Sequence, residues 1–138
     1  MAGLKSIIRL RKHQLDEKRR AVTRLQLMLD NMKREEARAV DELVAEKQHA
    51  TTDRETAAAF PNYNKRMQDK LKLIVKEEAN LKAAIDRAQA ELQDAFKELK
   101  TIEITDRERA RRAAAEEKKK EDQAMDEIGL EGFRRKDK

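Results

Sequence analysis

The chain is expected to be all-α: a long antiparallel two-helix coiled-coil hairpin with its tip near residues 58–64. Three observations predict this. Of 138 residues, 44% are charged and only 3% aromatic, so large side chains for a thick globular core are missing. Three Gly and one Pro leave little punctuation for a fold with many turns. Apolar residues recur at alternating steps of four and three, the a/d repeat of a left-handed coiled coil.

Helix one is expected from about residue 4 to about 58. Its seam starts at Leu4 and runs Ile8, Arg11, Leu15, Lys18, Val22, Leu25, Leu29, Met32, Glu36, Ala39, Leu43, Glu46, Ala50, Asp53, Ala57, Phe60. Twelve of these 17 are apolar, against 38% for the whole chain. Positions off the seam are mostly charged or amide-bearing, as a solvated face requires.

The stretch "AAAFPNYN", residues 57–64, holds the single proline, Pro61, and the single tyrosine, Tyr63. Proline disfavours a helical conformation at the residue before it, here Phe60. Asn62 and Asn64 have side chains able to cap a new helix. The tip is therefore placed at 59–62.

Helix two is expected over about 63–128. Its seam is Met67, Leu71, Ile74, Glu78, Leu81, Ile85, Ala88, Leu92, Ala95, Leu99, Ile102, apolar at ten of 11 positions. A short connection between two such seams favours antiparallel pairing, with residue i facing roughly residue 122 − i. Leu4 then lies near Lys118, and residues beyond about 120 overhang. "TTDRE" at 51–55 and "ITDRE" at 104–108 carry the Thr-x-x-Glu spacing of a capping box and mark possible interruptions. The second coincides with a break in the seam, so a kink at 102–106 is weighed against a continuous helix with a shifted seam. Gly129 and Gly132 are expected to end helix two. Residues 129–138 are then a flexible tail, and the whole of 1–138 forms one domain.

Charge placement matters more than the net +5. Residues 1–24 carry eight Lys/Arg against Asp16 and Glu17, and the remainder is nearly balanced. This basic end could favour an acidic partner. The segment "RERARRAAAEEKKKEDQ" mixes seven basic with five acidic residues and lacks aromatics, so it reads as a salt-bridged helix surface rather than a nucleic-acid arm. No cysteine is present, which excludes disulfides and Cys-based zinc sites. His13 lies at helical spacing from Asp16 and Glu17, and His49 from Asp53. An exposed polar face accounts for both more simply than a metal site does. With no HExxH and no Gly-rich phosphate loop, no catalytic, metal or cofactor site is assigned, and the chain is expected not to be an enzyme. No apolar run approaches the roughly 20 residues that span a bilayer, so a soluble cytoplasmic protein is expected.

Two of these segments and the tip carry a resemblance. The start "LKSIIRLRKHQLDEKRRAV" with its LxxxxxLRK pattern, the tip "NY" and the later "EEKKKEDQAMDEIG" ending in MDEI resemble the FliJ family of flagellar type III export proteins. The related injectisome stalk proteins share the architecture. The resemblance implies a hairpin similar to the central stalk of rotary ATP synthases. The end with both termini would dock in the pore of the hexameric export ATPase and promote ring assembly. The rest would project towards the cytoplasmic domain of the export gate, peripherally at the inner membrane. Some members also bind export chaperones. On this sequence the implied ATPase-binding residues are Leu4, Ile7, Ile8, Arg11, Lys12 and Leu15 with Met125, Asp126 and Ile128. A plain seam accounts equally for the leucines and isoleucines. Arg11 fits a seam poorly unless something outside the pair accepts its charge. For the gate the implied residues are Tyr63, Arg66 and Lys70, although "NKRMQDK" departs from the family's aromatic pattern beyond the tip. The alternatives are a self-associating coiled-coil scaffold and a basic helical nucleic-acid-binding protein.

Overall fold

In a computed structural model, residues 2–137 are described, and they form two helices. Helix α1 is Ala2–Ala50 and helix α2 is Arg54–Asp137. The helices pack against each other in antiparallel fashion, the expected all-α hairpin. Contacts divide the chain into two compact units: one holds the residues up to His13 and those from Phe96 on, the other is Gln14–Ala95.

The seam read from spacing is the seam that is buried. In the unit Gln14–Ala95, Leu15, Val22 and Ala39 of α1 are buried, as are Met67, Ile74, Leu81 and Ile85 of α2. The intervening seam positions Leu25, Leu29, Met32 and Leu43, and Leu71, Ala88 and Leu92, are half-buried. In the other unit Leu99 is buried, with Leu4, Ile8, Arg11 and Ile102 half-buried.

The turn lies at 51–53, not at 59–62. At the end of α1 the chain tightens: Thr51 N donates to Gln48 O and Thr52 N to His49 O, three residues back. The two threonine hydroxyls donate to the same two carbonyls, at 2.6 and 3.1 Å. These local bonds offer the backbone an alternative to the helical ladder. Asp53 then caps α2. Its Oδ1 accepts from Glu55 N at 3.2 Å and its Oδ2 from Thr56 Oγ1 at 2.9 Å. Its carbonyl takes the first helical bond, from Ala57 N at 3.0 Å. "TTDRE" is thus a true helix start, with Asp53 rather than Thr52 as the capping residue.

Pro61 sits inside α2, two turns past the cap. It removes one N–H, the one that would bond the Ala57 carbonyl. Ala57 is exposed, so water can serve that oxygen. Asn62 and Asn64 are interior helix positions and cap nothing; Asn64 accepts a long bond from Gln68 Nε2, 3.5 Å.

Moving the turn moves the pairing. In one unit Arg11 Nη1 meets Glu98 Oε2 at 2.9 Å, and in the other Lys18 Nζ meets Glu91 Oε2 at 3.0 Å. In each pair the residue numbers total 109, not 122. Leu4 therefore lies at the level of Thr105 rather than Lys118. The overhang begins correspondingly earlier, and every residue from Arg107 to Lys136 is exposed.

The possible kink at 102–106 is absent. α2 is unbroken there, and Thr105 Oγ1 donates back to Thr101 O at 2.9 Å instead of capping a new helix. Gly129 and Gly132 do not end α2 either. Neither adopts the positive φ that a glycine cap needs, and the helix continues through both to Asp137. The expected tail is helical over its described residues; Lys138 lies outside them.

Candidate functional site

The unit containing the start of α1 and the far part of α2 is built in two storeys. Up to about residue 106, α2 is covered by α1. Leu4 and Ile8 turn towards it and are half-buried, while Ile7 is 45% exposed and Lys12 is exposed. Arg11 occupies a seam position, and its cation is accepted by Glu98 of the same hairpin. The external acceptor expected from sequence is not required to place it. Leu15 belongs to the other unit and is buried in its seam, so its side chain has little surface to offer.

Beyond residue 106 α2 runs alone. Met125 is 69% and Ile128 66% exposed, and Asp126 is exposed between them. They sit about 30 Å along the helix from the level of Leu4, by helical rise. The two halves of the expected ATPase-binding set are therefore not side by side. One is a packed two-helix surface and the other a single bare helix.

The expected gate-facing residues lie on the early turns of α2 in the unit Gln14–Ala95. Tyr63 is half-buried and leans on Phe60, ring centroids 6.4 Å apart and planes at 42°. Arg66 and Lys70 are exposed. Lys70 borders a polar cleft with Glu35, Arg38 and Glu42 of α1. With the turn at 51–53, Tyr63 flanks the helix pair rather than crowning it.

Sequence reasoning placed Glu36 and Glu78 on the two seams but not against each other. Glu78 is buried, 8% exposed, and its Oε1 finds no partner. A side-chain hydrogen bond with Glu36 raises its carboxyl above the ordinary range, burial and the nearby Glu36 charge add to the effect, and Lys82 and Lys33 oppose it. The signal available from sequence was Glu36 among five polar positions of the first seam and Glu78 as the single polar position of the second; pairing them needed the correct turn.

Among the described residues no group of three His, Asp or Glu side chains could hold a metal ion. His49 lies 3.7 Å from the capping carboxylate of Asp53. No helix of the described residues is long and apolar enough to cross a membrane.

What this bare, charged hairpin is similar to is decided by its match to a family model. The model described as "Flagellar FliJ protein" matches residues 1–138, the whole chain. The chain belongs to the FliJ family. Membership makes it a flagellar export-related protein. No curated protein and no solved structure gives a significant match. For a FliJ-family chain the long unpaired stretch of α2 is the most conspicuous surface, because nothing else in the fold covers 30 consecutive helical residues so little.

Proposed function

We propose that this FliJ-family protein is the central-stalk-like coupling component of a flagellar type III export apparatus. It binds the hexameric export ATPase, promotes assembly of the ring and links it to the cytoplasmic domain of the export gate. Export chaperones are further partners. The protein works in the cytoplasm, at the periphery of the inner-membrane export machinery, without inserting in the membrane or binding nucleic acid.

The observation that carries this reading is the family match over the whole chain. The geometry supports it in a particular form. The bare helix with Met125, Asp126 and Ile128 is the element narrow enough to enter a ring. The packed level with Leu4, Ile7, Ile8, Arg11 and Lys12 forms a shoulder behind it, and Leu15 is a further proposed contact. Basic charge at Lys12 suits an acidic ring surface, although long-range attraction of this kind weakens with salt. Tyr63, Arg66 and Lys70 are the proposed contacts to the gate.

Co-purification tests the assignment. The full chain should retain the flagellar export ATPase on a column, and a chain truncated to remove the first 25 residues should not. ATPase retention undiminished by that truncation would overturn the docking role of α1. A self-associating scaffold with no ATPase affinity would appear as a stable dimer or tetramer and an empty pull-down.

A further inference from the structure

One side of the helix pair in Gln14–Ala95 combines exposed apolar residues with flanking lysines. A shallow cleft there is lined by Leu43, Val44, Lys47, Phe60, Asn64 and Gln68. Helical spacing extends its α1 edge backwards from Lys47 and Val44 through Val40 and Ala37 to Lys33, at steps of three and four. Gln68 extends the α2 edge at heptad steps to Val75 and Lys82. Val40, Val44 and Val75 are 42, 49 and 52% exposed. Neither edge row holds an acidic residue, in a chain that carries 28 of them. The result is an apolar strip bounded by lysines.

The same chain contains the complement. Residues 121–131, "EDQAMDEIGLE", carry five acidic residues and no basic one. They lie on the uncovered stretch of α2, with Met125 and Ile128 exposed at three-residue spacing on one face. Glu121 and Glu131 bracket that face about 15 Å apart, and Lys33 and Lys47 bracket the strip about 21 Å apart, by helical rise. An acidic helix with an apolar face thus complements a lysine-bounded apolar strip in sign and chemistry, and at about 15 Å it fits within the strip's length of about 21 Å.

We propose that residues 121–131 of a second copy of this chain dock on this strip. Met125 and Ile128 cover Val40, Val44 and Phe60, and the flanking carboxylates face Lys33 and Lys47. The contact is heterologous, because one copy supplies the acidic helix and the other the basic strip. Such contacts propagate head to tail instead of closing in a pair. Met125 and Ile128 are also the residues proposed above to meet the ATPase, so a chain engaged in self-docking is withheld from the ring. The inference itself needs no ATPase and stands or falls independently of that reading.

Sedimentation velocity on the full chain at low salt tests it. The sedimentation coefficient should rise with protein concentration, and the rise should fall away as salt is added. Ile128→Glu on the helix and Val44→Glu on the strip should each abolish the rise while leaving circular dichroism unchanged, since both side chains are largely exposed. Lys33→Glu with Lys47→Glu provides a second strip variant should Val44→Glu lose helicity. The decisive arm is mixing. The Ile128→Glu chain keeps an intact strip and the Val44→Glu chain keeps an intact helix, so an equimolar mixture should form a dimer and nothing larger. Wild-type chain that stays monomeric at all concentrations would overturn the proposal. So would association that survives the strip variants, which would mean that the bare helices pair with each other, or a mixture that fails to restore the dimer.

Discussion

Glu78 faces Glu36 across the seam, where one of the two carboxyls must be protonated for the pair to share a hydrogen bond. The carboxyl of Glu78 is held above its ordinary value of 4.5, chiefly by that bond. A raised carboxyl binds its proton more tightly folded than unfolded. Stability should therefore increase as pH falls through the raised value towards 4.5, the gain being complete below the unfolded value. Thermal unfolding followed by circular dichroism checks this across that window. Glu78→Leu should raise the melting temperature at neutral pH and remove this contribution to the pH dependence. An unchanged pH profile in that variant would mean that the pair does not govern it.

The position of the turn gives two substitutions of opposite sign. Asp53→Ala removes the cap of α2 and should cost about 1 kcal/mol. Pro61→Ala restores a helical N–H inside α2 and should stabilise, by up to about 3 kcal/mol. Were Pro61 at the hairpin tip, its replacement would be neutral or unfavourable, and Asp53 would matter little. Denaturant unfolding of the two variants checks both.

Arg11 and Glu98 separate folding from recognition. The pair is partly exposed, so Arg11→Glu alone should cost at most about 1 kcal/mol. Combining it with Glu98→Arg should recover that loss. If Arg11 also meets the ATPase, the double variant should be as stable as the wild type and still bind the ATPase weakly. Equal recovery of stability and binding would confine Arg11 to the hairpin.

Much of this arrangement was legible in the sequence because coiled-coil burial is periodic. From Leu4 to Ala50 and from Met67 to Ile102, every position that the alternating steps select is buried or half-buried. The turn was harder to read. Proline is the strongest visible helix breaker, and Pro61 drew the tip ten residues past Thr51. Yet proline costs one hydrogen bond near a well-capped helix start, whereas Thr51, Thr52 and Asp53 redirect several backbone groups at once. An error of several residues in the turn doubles in the pairing. That displacement hid the Glu36–Glu78 contact and the Arg11–Glu98 pair and shortened the expected overhang. Gly129 and Gly132 misled in the same direction, because glycine permits a helix stop without compelling one.

Docking on the export ATPase is the central claim, and titration calorimetry of the full chain into the assembled hexamer tests it most directly. Saturable binding is expected, substantially weakened by Arg11→Glu with Lys12→Glu and by Ile128→Glu, each in a chain that remains helical. No heat of binding from the wild-type chain, or full affinity in both variants, would contradict the account.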